Sequence, residues 1–393
     1  MIVGAGQAGL AVSHELTGLD VEHVVLERSR VGQAWRDRWD SFCLVTPNWT
    51  IQLPGGVYEG PDPDGFMPRD EIVRYLESYA ANAPVREDVE VDAVETRSGG
   101  FVLRTSDGDL AADVLVVATG TYSRPHLPPA AATLPESLPR LTVEQYRSPD
   151  ALPEGAVLVV GSGQSGCQIA EELRAAGREV VLACGRAPWC PRRPGGRDLL
   201  WWALESGFMD VGVETLPSSE ARLSANVLAT GRDGGHDLHL RVLREQGVTL
   251  VGRLAGAESG RAYFEPDLAE SVAWGDARYR EIGGLFGTVA RERGLELLLD
   301  EPTPFNATAP DSIDLDAFGA VVFTAGFRPD YSSWLPWAEA FDAPGFPVQR
   351  DGESTVVPRL FFIGVHFQRT RKSSLLLGVG EDAAIVARRI AAA

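Results

Sequence analysis

A chain of 393 residues is too long for one hydrophobic core and fits two domains, or one domain interrupted by another. Its 36 Lys and Arg against 55 Asp and Glu leave a formal charge of −19, which argues against nucleic acid and anionic membrane as partners, since both demand a positive footprint. No apolar run approaches the ~20 residues of a membrane span, and the 4 cysteines, none in C-x-x-C spacing, form neither a disulfide scaffold nor a metal or redox pair. No metal site is expected, and the cytoplasm is the expected compartment.

The first informative stretch is a short apolar strand, Ile2-Val3, that meets Gly4-Ala5-Gly6-Gln7-Ala8-Gly9 and then a helical pattern through Val12 and Leu16, stopping near Gly18. So little strand precedes Gly4 that native residues are expected upstream of Met1; a usual strand has about five. A second apolar run, Val24-Val25-Leu26, ends in Glu27. The first glycine of such a turn permits a tight bend, the second lets a pyrophosphate approach the backbone, and the third lets helix and strand pack closely. The helix N-terminus favours the anion, and a carboxylate at the position of Glu27 accepts hydrogen bonds from a ribose. This predicts an FAD-type dinucleotide site.

The same grammar recurs at Ala156–Val160, then Gly161-Ser162-Gly163-Gln164-Ser165-Gly166, a helical stretch with Ile169, Ala170 and Leu173 on one face, and a strand at Val180–Ala183. The second copy carries no acid after its second strand. It has Arg186, with Arg192 and Arg193 following, and arginine pairs with a 2′-phosphate that a carboxylate would repel, so this copy predicts NADPH. Two apolar strands ending in small residues, Leu115–Gly120 with Ala118 and Gly120, and Val321–Gly326 with Ala325 and Gly326, are expected to lie against the cofactors. Alternating segments between Val85 and Leu110 predict a small antiparallel hairpin, with the backbone near Val91 toward the FAD adenine.

The expected fold is α/β, with two Rossmann-like dinucleotide-binding domains of the three-layer ββα type, the NADPH domain inserted into the FAD domain. Proline clusters place the boundaries so that 1–150 and 316–393 form the FAD domain and 151–315 the NADPH domain.

Gly4 to Gly9, Glu27-Arg28, Gly32-Gln33-Ala34-Trp35-Arg36, Thr46-Pro47, the second glycine triplet, Thr324–Pro329 and the closing Phe361–Gly364 through Gly378, Gly380, Glu381 and Asp382 together resemble the flavin-containing monooxygenases, including their bacterial relatives. The resemblance covers nearly the whole chain. It implies FAD in the first domain and NADPH in the second, and a reduced flavin that reacts with O₂ to give a C4a-hydroperoxide, which oxygenates a nitrogen, sulfur or carbonyl centre. It also implies that Trp35 and Leu44-Val45-Thr46 lie near the flavin, and Gln164, Ser165 and Gly166 near the NADPH pyrophosphate. The cofactor carries the chemistry, so no catalytic side chain is assigned.

Two departures stand out. The fingerprint F-x-G-x-x-x-H is missing from Leu138–Tyr146, where only Tyr146 matches its closing aromatic, and Val45 stands where the family commonly has an asparagine that bonds the oxygenated flavin. Asn48 is the nearest replacement in sequence. His366 stands close to where related reductases place an aspartate on the ribityl chain, and Arg369, Arg371 and Lys372 are candidates for neutralising a cofactor phosphate or an acidic substrate. Trp201 and Trp202 are candidates for a substrate wall or a subunit contact. Alternative functions are an NADPH-dependent reductase or oxidase without oxygen insertion, a disulfide reductase, disfavoured by the cysteine spacing, and a non-enzymatic redox-sensing or transport-associated flavoprotein. Expected partners are a small-molecule substrate and O₂, with a second copy of the chain as the candidate protein partner.

Overall fold

The apolar runs form two parallel sheets, each buried on both faces. The computed structural model describes residues 1–97, 99–305 and 308–392. In the first sheet Leu360–Phe362, Leu115–Val117, Ile2–Val3, Val25–Leu26 and Val85–Arg86 lie side by side in parallel, and the hairpin Gln349–Arg350/Glu353–Ser354 extends one edge. Residues of this sheet alternate between two cores. Ile2, Val25, Val116 and Phe361 face the helices Gln7–Gly18 and Val379–Ala391, while Val3, Leu26, Val117 and Phe362 face an antiparallel layer. That layer is Val91–Arg97, Gly100–Thr105 and Gly108–Ala112, the hairpin expected from the sequence extended by one strand.

The second unit repeats the plan. Arg140–Thr142, Phe318–Phe323, Ala156–Val160, Val180–Ala183 and Thr249–Val251 form an all-parallel sheet. Val157, Val159 and Leu182 pack on Cys167, Ile169 and Leu173 of the helix Gln164–Ala175, and Leu158, Val160 and Val321 pack on Ala262 and Phe264 of a second three-stranded layer. Burial on both faces explains why these strands read as continuous Val/Leu runs.

The fold class stands as expected, with the NADPH-type unit inserted into the FAD-type unit. The expected limits of 151 and 315 do not follow the sheets: Arg140–Thr142 and Phe318–Phe323 both lie outside them and both belong to the second sheet. The chain crosses between units at an antiparallel pair, Arg124–Pro125 with Phe327–Arg328, which leaves 126–326 as the inserted unit. No helix among the described residues is long and apolar enough to cross a membrane.

The two units are fastened together at separated points. Ser41 Oγ donates to Glu172 Oε1 at 2.7 Å. On another side the segment 211–213 pairs with 369–371, through Val213 N–H to Arg369 O at 2.8 Å and Arg371 N–H to Val211 O at 3.1 Å. Lys372 Nζ closes that seam on Asp210 at 2.8 Å and Glu381 at 2.6 Å.

Candidate cofactor cleft

Both glycine triplets divide the same three tasks. Gly4 (φ 106°) and Gly161 (φ 112°) make left-handed turns in which a Cβ would lie 2.7 Å from Ala118 O and 2.8 Å from Thr324 O, respectively. At Gly9 and Gly166 a Cβ would stand 1.9 Å from Gly4 O and 1.8 Å from Gly161 O, so helix and strand pack as closely as they do only without side chains. Between them, a Cβ at Gly6 meets nothing within 4 Å, and one at Gly163 only Ala225 Cβ at 4.0 Å. The middle glycines thus border open space at the N-terminus of a helix of 12 residues in each unit, where free N–H groups favour a pyrophosphate. The residues present fit two dinucleotides.

Around the first cradle, Glu27 is buried at its strand end, its Oε2 accepting from Ala5 N–H at 2.8 Å and its Oε1 from Ser29 N–H at 3.1 Å. The carboxylate is therefore fixed beside the glycine turn. Gly32 (φ 70°) starts the short helix Gln33–Arg36 and donates its N–H to Ala5 O, which carries Trp35 to the same edge. Trp35 Nε1 donates to Gln7 Oε1 at 3.0 Å, and Gln7 Nε2 to Ser374 O at 3.3 Å, joining three segments at the helix N-terminus. Arg28 and Ala34 are exposed. Ala118 backs Gly4, and Gly120 O accepts from Tyr331 Oη at 2.8 Å.

Val91 opens the antiparallel layer opposite Thr105, and it is Val89 whose N–H bonds Glu27 O, at 2.9 Å. Gly380 packs on Pro54, whose Cδ would stand 3.0 Å from an added Cβ, so close helix packing accounts for this glycine.

At the second cradle, Gln164 and Ser165 begin the helix, and Gln164 Nε2 reaches Ala229 O at 3.4 Å. Ala325 and Gly326 follow Thr324, whose hydroxyl donates to Gly161 O at 2.7 Å. Arg186 is exposed just past the strand Val180–Ala183 and lines a cavity of about 370 Å³ with Arg253, Asp267, Glu270 and Ser271. Arg192, expected beside it, is elsewhere. It is 2% exposed, with Nη2 on Asp198 Oδ2 at 2.6 Å, Nη1 on Val45 O at 2.7 Å and its guanidinium over the Phe66 ring at 4.4 Å. Its donors are spent on fastening the 44–46 loop, which removes it from the 2′-phosphate site. Arg193 is likewise spent, on the carbonyls of Gly234 and Gly235.

Val45 and Thr46 are half-buried, Val45 packing with Val227 against the inserted unit. Asn48 does not replace the missing asparagine: its Nδ2 donates to Asp62 O at 2.9 Å and its Oδ1 accepts from Met67 N–H at 2.8 Å. Tyr146 is fully buried and donates to Glu172 Oε2 at 2.9 Å, a core position. Trp202 is also core, its Nε1 donating to Pro194 O at 2.7 Å. Burial pushes the Cys43 thiol up to about 11 and Cys190 up to about 12, and raises Cys167 and Cys184 as well, which is the opposite of the activation a thiol nucleophile needs.

Two residues where the units meet carry no motif and were not anticipated. Tyr122 stacks obliquely toward Phe327, ring centres 5.4 Å apart, and lies 6.4 Å from the His366 ring. Arg222 comes from the inserted unit and reaches the first one over the Phe346 ring at 4.8 Å. His366 is 6% exposed, and burial, followed by Arg371 and Arg222, lowers its pKa to about 4, so it is neutral at physiological pH.

Residues 1–195 match the pyridine nucleotide-disulphide oxidoreductase family. An uncharacterized CzcO-like oxidoreductase of Geobacillus kaustophilus is 29% identical over 387 residues, 98% of this chain and 95% of the relative. A probable indole-3-pyruvate monooxygenase, YUCCA4 of Arabidopsis thaliana, is 32% identical over 179 residues, covering 44% of this chain and 43% of its own. A flavin monooxygenase from Stenotrophomonas maltophilia superposes with a TM-score of 0.69 at 20% identity, covering 100% of this chain and 97% of that one. The duplicated cradle and these likenesses together support a flavoprotein oxidoreductase of two nucleotide-binding domains, with FAD and NADPH as cofactors, similar in fold to the flavin monooxygenases.

Proposed function

We propose that the chain is an NADPH-dependent monooxygenase that oxygenates a small organic substrate at a nitrogen, sulfur or carbonyl centre, with O₂ as co-substrate. The observation that carries this reading is the pair of open glycine cradles, at Gly6 and Gly163, one on each unit. When bound, FAD accepts hydride from NADPH and delivers electrons to O₂. The chain supplies position and environment. Gly6 and Gly163 admit the two pyrophosphates, Glu27 takes the FAD ribose, and Trp35, held by Gln7, sets one edge of the flavin site. Val45 and Val227 both pack on one apolar cluster of the inserted unit, which fastens the 44–46 loop.

NADPH selectivity rests on Arg186. Arg186→Ala should raise the KM for NADPH by about tenfold or more, the size of one lost charge-assisted contact, and leave that for NADH nearly unchanged. Steady-state kinetics with both nucleotides checks this, and an unaltered preference would remove Arg186 from the site.

The reaction type is tested by reducing the purified holoprotein anaerobically with NADPH and mixing it with O₂ while recording the flavin spectrum. Monooxygenase chemistry predicts a transient species distinct from both reduced and oxidised flavin. A second reading, a reductase or oxidase without oxygen insertion, is favoured by one observation: Val45 offers no side-chain donor, and the buried amide of Asn48 is turned to Asp62 O and Met67 N–H. Direct return to oxidised flavin with an equivalent of hydrogen peroxide would decide for it.

A further inference from the structure

The cavity of about 370 Å³ beside Arg186 has a second basic wall. The strand Thr249–Val251 runs parallel to Val180–Ala183, with Leu250 opposite Leu182, so the chain leaves both strands at the same edge of the sheet. Arg186 follows one strand and Arg253 the other, and both line the cavity with Asp267, Glu270 and Ser271. This edge is tied to the second glycine triplet: Ser162 Oγ accepts from Gly185 N–H and donates to Gly185 O, each at 3.0 Å. In a dinucleotide-binding unit the end of the second strand is where the 2′ position of the ribose is read. That strand end is the one that carries Arg186.

Arg253 is placed with little freedom. The preceding Gly252 has no space for a side chain, since a Cβ there would stand 1.8 Å from Glu265 O and 2.7 Å from Asp267 Oδ1. Arg253 O accepts from Glu265 N–H at 2.8 Å. Asp267 then holds the residue twice, its Oδ1 accepting from Arg253 N–H at 3.0 Å and its Oδ2 from Arg253 Nε. Both Nη groups of Arg253 are without a partner among the described residues, and its side chain is 68% exposed. Arg186 likewise makes no ion pair or side-chain hydrogen bond among the described residues, and neither does Glu270, which brings the opposite charge to the same cavity. A phosphate monoester carries close to two negative charges at neutral pH, so one arginine leaves it half compensated.

We propose that Arg253, positioned by Asp267, is a second anchor for the 2′-phosphate of NADPH, and that Glu270 weakens the selectivity the two arginines create. The inference rests on reading Arg186 as a 2′-phosphate residue and goes beyond it, because selectivity becomes a balance of attraction and repulsion among three charges rather than the property of one residue. Asp267 spends its own charge on Arg253 and so opposes the phosphate less than its place in the cavity wall suggests.

The test is calorimetric titration of the oxidised, FAD-loaded protein with NADP⁺ and with NAD⁺, which differ only in the 2′-phosphate. The parent should bind NADP⁺ more tightly. Arg253→Gln should cut the ratio of the two affinities about tenfold, and Arg253→Lys, which keeps the charge, should preserve part of it. Glu270→Gln should raise the ratio about threefold, the size of one exposed charge contact. An Arg253→Gln ratio equal to that of the parent, or a Glu270→Gln ratio that is unchanged or lower, would overturn the proposal. Equal losses of affinity for both nucleotides in Arg253→Gln would overturn it too, since they mark a residue that merely braces Asp267. If Arg186→Ala removes the preference while Arg253→Gln leaves it, the second anchor fails and the reading of Arg186 stands. Equal binding of NADP⁺ and NAD⁺ by the parent overturns both.

Discussion

Gly6→Val should give a folded protein that no longer retains FAD. A Cβ at Gly6 meets no atom within 4 Å, so the fold tolerates the side chain, but the branched methyls occupy the space through which the pyrophosphate approaches the helix N-terminus. Gly9→Val is the contrasting control. Its Cβ would stand 1.9 Å from Gly4 O, backbone that cannot yield without pulling the first helix off the sheet, so this variant should fail to fold rather than merely lose the cofactor. The ratio of flavin to protein absorbance, read beside the circular dichroism spectrum, separates the two outcomes. Stoichiometric FAD on Gly6→Val would withdraw the cradle assignment.

The second large effect is expected at Arg192→Met. The substitution strips Asp198 of its partner while leaving that carboxylate only 12% exposed, and it releases the Val45 carbonyl. Breaking one side of a buried pair costs ~3–5 kcal/mol, which corresponds to a fall in melting temperature of about 10 °C for a unit of this size. Thermal denaturation measures it. NADPH preference over NADH should be unchanged, because Arg192 faces the 44–46 loop and Phe66 rather than the nucleotide; a lost preference would restore it to the phosphate site.

These two residues also show what was legible beforehand. Gly6 was readable because its role is a backbone property, set by neighbours three residues away and by the strand-turn-helix around it. Arg192 was misplaced because its partners, Asp198 and Val45, are a matter of packing, and nothing local distinguishes a buried arginine from one free to meet a phosphate. The domain limits were drawn at prolines, whereas sheet membership decides them: Arg140–Thr142 is a short, half-exposed edge strand whose polar start hides its place in the second sheet. Asn48 was readable as a donor near Val45 but not as one already spent on Asp62. Arg371 was noticed together with Arg369 and Lys372, and only the fold separates the one without a partner from the two that are paired.

The antiparallel pair Arg124–Pro125 and Phe327–Arg328 has an evolutionary corollary. Because the outgoing and returning chains run side by side, with Arg124 opposite Arg328, the covalent chain enters and leaves the inserted unit at one place. Directly opposed residues in such a pair lie about 5 Å apart, a gap that a two-residue turn closes. The host domain therefore had to be cut only once to acquire its guest, and the cut disturbed none of its parallel strands. Ancestors of this architecture need not have passed through an unfolded intermediate design: a one-nucleotide protein with a hairpin at this point already has the geometry to accept a second nucleotide domain in one genetic step.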